Sequence, residues 1–212
     1  MANPCTRSHS KEATSTGLAT LGDIFHLTLK AKETARLEYD LSYYHNIPDA
    51  EAALWSGLKY YLGDKAEWLP CYDNIVEWLQ DNDGRGLLCY GSCGLGKSVI
   101  CGKIIPVLLN HYHRKIVAQW EADSMNHDID AVKACHIIYI DDIGTEGESV
   151  KYGERRMAFP EIVDAAEKKG KLLMCTTNLG LADLKAKYGE RTTDRLKAIT
   201  RQVLFTGNSF RR

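Results

Sequence analysis

The sequence predicts an α/β fold with a mostly parallel, five-stranded sheet covered by helices on both faces. Three observations predict it. Short apolar runs at 87–90, 116–119, 136–140, 171–175 and 202–206 alternate with helical segments, the order that a parallel sheet requires. The run Ile137-Ile138-Tyr139-Ile140 is uninterrupted, as in strands buried on both faces. The third is a glycine-rich run, Gly91-Ser92-Cys93-Gly94-Leu95-Gly96-Lys97-Ser98. It stands between the strand Leu87-Leu88-Cys89-Tyr90 and a helical pattern carrying Val99, Ile100, Ile104, Ile105, Leu108 and Leu109.

In chain order, residues 1–17 are polar and rich in Ser and Thr. The first fifteen or so read as disordered, and no apolar secretory core is present. From Leu18 to about Gly63 the pattern is helical. Ala50-Glu51-Ala52-Ala53-Leu54-Trp55 leads to Leu58, Tyr61 and Leu62 at helical spacing. This region has two readings, a small helical appendage or a docking module for a protein partner. The expected division is an amino-terminal extension, 1–66, and a core domain, 67–212. Trp68-Leu69-Pro70 opens another helix with Ile75, Val76, Trp78 and Leu79 as its apolar face, and Asp81-Asn82-Asp83-Gly84 ends it. Pro106 is expected to kink the helix after the glycine-rich run. Further on, Pro160 at the first helical position, Ile162, Val163 and Ala166 inward, Lys168 and Lys169 in the last turn and Gly170 as cap define one more helix.

A chain of 212 residues, 44% hydrophobic, can bury one core of about 150 residues plus a small appendage. Lys plus Arg number 27 and Asp plus Glu 28. This balance excludes nucleic-acid binding by whole-molecule charge and leaves it to a local patch. The cysteines are Cys5, Cys71, Cys89, Cys93, Cys101, Cys135 and Cys175, with no C-x-x-C pair. Several lie in apolar runs and read as small buried hydrophobes in a reducing compartment. Cys5 and His9 lack the second ligand pair that zinc needs. No stretch is long enough to span a membrane, so a soluble, cytoplasmic protein is expected.

Gly91 to Ser98 matches G-x-x-x-x-G-K-[ST] in full, in the strand–loop–helix setting that the motif requires. Gly91, Gly94 and Gly96 let the backbone of the loop, with Ser92, Cys93 and Leu95, wrap phosphate oxygens. The loop amides and the helix amino terminus supply donors. Lys97 is suited to the β- and γ-phosphates and the Ser98 hydroxyl to Mg²⁺. ATP with Mg²⁺ is therefore the expected ligand. The apolar strand that ends in Asp141-Asp142 puts two acids where open α/β sheets bind ligands. Asp141 suits the Mg²⁺ shell and Asp142 suits polarising the attacking water. Leu172-Leu173-Met174-Cys175-Thr176-Thr177-Asn178 ends a second buried strand in polar groups. Asn178 can hydrogen-bond both γ-phosphate and water, or serve as a turn residue before Leu179-Gly180.

Together these three segments resemble the AAA+ ATPases. Gly86-Leu87-Leu88-Cys89-Tyr90-Gly91, Asp141-Asp142-Ile143-Gly144, Thr176-Thr177-Asn178-Leu179 and Tyr188-Gly189-Glu190-Arg191-Thr192-Thr193-Asp194-Arg195-Leu196 resemble the DnaC/DnaI helicase loaders and the IstB transposition helpers. So does the closing Gly207-Asn208-Ser209-Phe210-Arg211. The similarity covers roughly residues 68–212. It implies a RecA-like AAA+ core with the Asn178 strand between the other two motif strands, and no carboxy-terminal helical lid. It implies that Arg195 acts as an arginine finger on a neighbouring subunit's ATP and that Arg211 is the sensor-2 arginine. Asp142 stands where most AAA+ proteins have Glu. The implied activity is ATP-dependent loading of a replicative helicase onto single-stranded DNA, by a homo-oligomer that forms on ATP or DNA binding. The alternatives are a transposition helper, a small-molecule kinase and an ATP-gated scaffold. Glu154-Arg155-Arg156 and Lys168-Lys169-Gly170-Lys171 read either as solvated faces or as contacts to a DNA backbone.

Overall fold

The computed structural model of the chain describes residues 43–147, 149–151, 154–207, 209 and 210. The segment before residue 43, read above as disordered and then helical, lies outside the described residues, as do Cys5, His9 and Arg211. The described residues belong to one compact unit, Tyr39–Arg212.

That unit opens with α1 (Ala50–Leu62), then α2 (Cys71–Gln80), β1 (Gly86–Gly91) and the glycine-rich loop. The helix after the loop runs as α3 (Lys97–Val99), a π-helical segment (Ile100–Ile104) and α4 (Ile105–His113). Then come β2 (Ala118–Glu121), α5 (Ala122–Met125), α6 (Ile129–Ala134), β3 (Ile137–Asp141), a hairpin of β4 (Ser149–Lys151) and β5 (Glu154–Arg156), and α7 (Ala158–Lys169). The chain continues through β6 (Leu172–Thr177), α8 (Leu181–Tyr188), α9 (Glu190–Ile199) and β7 (Thr200–Phe205). The main sheet has five strands in the order β2-β3-β6-β1-β7, all parallel. β6 therefore separates β1 from β3, as the resemblance implied.

Alternate residues of each strand point to opposite faces, and two cores result. Leu87, Cys89, Ile137, Tyr139, Leu172 and Met174 face α1, α2 and the helix after the loop. Leu88, Ile138, Ile140, Leu173 and Cys175 face the side of α5–α9. In β1, β3 and β6 the first four residues are all buried, which explains their uninterrupted apolar runs. The segment 39–66, grouped above with the extension, includes α1. Ala50, Leu54 and Leu58 of α1 are buried in the first core, and Tyr61, placed on the same apolar face above, is 40% exposed.

Several local expectations shift. The second strand starts two residues later than predicted, because Ile116 is 80% exposed and the edge strand alternates half-buried with exposed residues. α7 starts at Ala158, so Pro160 is its third residue. The missing N–H costs nothing there, since the first four helical N–H groups have no partner within the helix. Gly170 caps α7 at φ 57°. Pro106 follows the π-helical segment, one of the recognised companions of helix distortion. Cys89, Cys101 and Cys175 are buried, but Cys71 and Cys135 are half-buried and Cys93 is exposed on the loop. Of the basic run at 168–171, Lys168 pairs with Asp164 at 2.6 Å, and buried Lys171 donates to the Cys135 carbonyl at 2.6 Å. Among the described residues no helix is long and apolar enough to cross a membrane.

Candidate nucleotide site

The carboxyl ends of β1, β3 and β6 converge on a cavity of about 300 Å³. The loop contributes Cys93, Gly94, Gly96, Lys97 and Ser98. Asp141 and Asp142 come from β3 and its end, and Thr176 and Asn178 from β6 and its end. The cradle is backbone-lined because side chains do not fit. Gly94 has φ 75°, and a Cβ there would stand 2.0 Å from Ser209 Oγ. At Gly91, φ 110°, a Cβ would stand 2.4 Å from the Phe205 carbonyl oxygen. The loop is fastened from three sides. Ser92 N–H donates to Phe205 O at 2.9 Å, Phe210 N–H to Gly94 O at 2.9 Å, and the buried Tyr72 hydroxyl to Leu95 O at 3.0 Å.

Lys97 is 6% exposed and its ammonium is fully engaged. It donates to Gly91 O at 2.8 Å, Ser92 O at 2.7 Å and Asn178 Oδ1 at 3.0 Å. Burial holds its pKa below the ordinary lysine value, against the attraction of nearby thiols and of Asp142 and Asp141. Asn178 uses its other end to donate to Asp142 Oδ1 at 2.9 Å. One amide thus joins the loop lysine to the second acid. Asp142 lies at φ 53°, a left-handed conformation that Asp tolerates better than most residues. Its N–H donates to Thr176 Oγ1 at 3.0 Å, which helps to hold the bend.

Ser98 Oγ donates to Asp141 Oδ1 at 2.8 Å. A hydroxyl that gives its proton to a carboxylate keeps its lone pairs for a cation, and an alcohol plus a carboxylate is an oxygen donor set that suits Mg²⁺. The residues present therefore fit the metal that the motif implies. The cavity, the glycine cradle and the buried ammonium fit a polyphosphate in the same way.

Of the residues singled out from sequence, the structure brings Gly91–Ser98, Asp141, Asp142 and Asn178 together. Arg195 is elsewhere on the chain. On α9 its Nη1 contacts Asp164 and its Nε pairs with Glu167 of α7 at 2.9 Å. Sequence reasoning missed Leu62 and Phe210, which also line the cavity. It also missed the hydroxyls of Tyr139 and Thr176, both bound to Asp141 Oδ1. Thr176 and Phe210 stood inside quoted segments but without a role. Nothing in the pattern of α1 marked Leu62.

The loop beyond Asp142 is tied to α8. Lys187 Nζ donates to the carbonyls of Gly144 and Glu146 at 2.6 and 2.8 Å. The buried Glu146 carboxylate accepts from Gly144 N–H at 2.8 Å and from the Tyr188 hydroxyl.

Neither a protein-family model nor a curated protein matches the sequence. Solved structures do match. A protein assigned as a primosome component of Streptococcus pyogenes serotype M3 superposes with a TM-score of 0.50 at 20% identity, over 77% of this chain and 81% of its own. Domain III of the replication initiation protein DnaA from Thermotoga maritima gives a TM-score of 0.50 at 16% identity, over 70% and 67%. The DnaC helicase loader gives 0.47 at 17% identity, over 77% and 94%. At such identities the likeness is one of fold. The chain shares the α/β fold of that primosome component and of DnaA domain III.

Proposed function

From this fold we propose that the chain binds Mg·ATP and hydrolyses it, and that it loads a replicative helicase onto single-stranded DNA. The observation that carries the ATPase reading is the continuous link Lys97–Asn178–Asp142 beside the Ser98–Asp141 pair in one cavity. The loading role rests on the resemblance of the motif segments to the DnaC/DnaI group. Membership of replication proteins among the fold's neighbours agrees with that role.

In this reading the backbone from Gly91 to Gly96 wraps the phosphates. Lys97 exchanges its carbonyl partners for β- and γ-phosphate oxygens. Ser98 and Asp141 would hold Mg²⁺, which would supply positive charge beside the phosphate oxygens. Asp142 accepts the proton of the attacking water, and Asn178 orients that water against the γ-phosphate. Water and γ-phosphate are thereby held in a fixed relation, so much of the barrier is met by positioning. Arg195 serves the nucleotide of a neighbouring copy, and Arg211 that of its own subunit. The amino-terminal region to residue 66 docks the helicase. The assembly is a cytoplasmic homo-oligomer that orders on ATP and DNA and disperses after hydrolysis.

Mixing two variants tests the shared site. Arg195→Ala is expected to bind ATP and lose on the order of 10³-fold or more in turnover. Asp142→Asn is expected to bind ATP and lose roughly 10²- to 10⁴-fold. Combined, they form sites with an intact acid from one copy and an intact arginine from the other, and activity returns. A mixture as inactive as its parts, with co-assembly shown by light scattering, refutes the shared site.

A further inference from the structure

One oxygen of Asp141 collects three hydroxyl donors. Ser98 Oγ donates at 2.8 Å and Tyr139 Oη at 2.7 Å, and Thr176 Oγ1 donates to the same Oδ1. Among the described residues none donates to Oδ2. Ser98 belongs to the phosphate loop, but Tyr139 and Thr176 do not. Both come from the sheet. Tyr139 precedes Asp141 by two residues on β3 and so shares its face. The register that pairs Ile140 with Cys175 brings Asp141 level with Thr176.

The tyrosine ring is accommodated by the opposing helix. Tyr139 is 3% exposed and packs under the π-helical segment Ile100–Ile104. Gly102 lies within that segment. A Cβ on Gly102 would stand 2.8 Å from Tyr139 Cε1 and 3.4 Å from its Cζ. The absent side chain at 102 thus lets the phenol reach the acid. A Phe in place of Tyr139 would fill the same volume, so packing alone does not call for the hydroxyl. Thr176 is likewise almost fully buried. Its hydroxyl serves two neighbours, donating to Asp141 and accepting from Asp142 N–H.

We propose that Tyr139 and Thr176 are positioning residues for the divalent cation. They fix Oδ1, so that the carboxylate is held in one rotamer, with Oδ2 left for the cation's hydrated shell and Ser98 held at its side. Outer partners of this kind orient metal ligands, and their loss costs roughly 10- to 100-fold in metal affinity. The inference rests on the Mg·ATP reading above.

Mn²⁺ binding to the full chain, read by electron paramagnetic resonance with a non-hydrolysable ATP analogue, tests it apart from turnover. Tyr139→Phe and Thr176→Val are each expected to weaken Mn²⁺ binding about tenfold or more. Affinity of Tyr139→Phe for the analogue in EDTA stays within about twofold of wild type, because Tyr139 does not line the nucleotide cavity. Thr176→Ser, which restores the hydroxyl, recovers most of the Mn²⁺ affinity. If wild type binds the analogue and Mn²⁺ but both variants bind Mn²⁺ as wild type does, the positioning role is wrong and the Mg·ATP reading stands. If Tyr139→Phe loses analogue binding in EDTA in step with a lowered melting temperature, its role is structural and the proposal falls. If wild type binds neither analogue nor Mn²⁺, the Mg·ATP reading itself fails, and this inference with it.

Discussion

His45 makes the packing ahead of α1 sensitive to acid. The ring is 5% exposed and stacks edge-on to Trp78 at 4.4 Å. Its Nε2 lies 3.1 Å from the Trp78 carbonyl oxygen, an acceptor, so Nε2 carries the proton. Nδ1 is buried with no hydrogen-bond partner. A second proton would have to sit on Nδ1, away from water and near the charge of Lys115. Burial first, and Lys115 next, therefore lower the pKa from 6.5 to about 4. The unfolded chain takes up this proton as pH falls through 6.5, whereas the folded chain resists until about 4. The stabilisation is intact above 6.5 and drains away as pH falls toward 4. At about 1.4 kcal/mol per pKa unit the gap amounts to roughly 3 kcal/mol. Urea unfolding of wild type and His45→Gln, between about pH 7 and about pH 4, isolates the term, because Gln can donate to Trp78 O but does not titrate. The difference between the two proteins should change by roughly 3 kcal/mol across that range, wild type losing more. A difference flat to within about 0.5 kcal/mol would refute the assignment.

Two further sets of substitutions address the site and its neighbours. Gly94→Ala should lose about tenfold or more in affinity for a fluorescent ATP analogue, because an L-residue in the left-handed region costs roughly 1–2 kcal/mol and its Cβ meets Ser209. Adding Ser209→Gly should recover part of the loss, and unchanged affinity in Gly94→Ala would count against the cradle. Asp164→Asn with Glu167→Gln frees the Arg195 guanidinium from its partners within the chain. If that arginine serves a neighbouring copy, turnover at low protein concentration should rise about two- to fivefold; a fall with intact folding would mean the pair itself is what the assembly needs.

What could be read from sequence was what depends on near neighbours. The phosphate loop is a contiguous motif whose glycines answer to local backbone geometry, and strands β1, β3 and β6 announce themselves because both their faces are buried. The edge strand β2 was misplaced because half of its residues meet solvent, which erases the apolar signal. The β4–β5 hairpin went unpredicted, since three-residue strands are too short for a period to register. Tyr139, Thr176, Leu62 and Phe210 were not legible as site residues for a different reason. Each reaches the cavity through strand register or helix packing, and no local spacing encodes those. Arg195 was legible as a motif residue but not as the partner of Asp164 and Glu167, which lie on another helix.

The fastening of the phosphate loop bears on how the protein is made. A ribosome delivers Gly91–Ser98 long before Phe205 and Phe210, yet both are needed to hold that loop by hydrogen bonds. β7, which flanks β1 from Gly86 to Gly91, is also among the late arrivals. Until then a growing chain carries the complete phosphate motif on a strand with one side unpaired. Nucleotide capture should therefore switch on late in synthesis, and a chain stalled before Thr200 should emerge with its motif intact and its loop lacking the Phe205 and Phe210 tethers. Translation arrested at successive lengths, probed with a photoreactive ATP analogue, would time that transition.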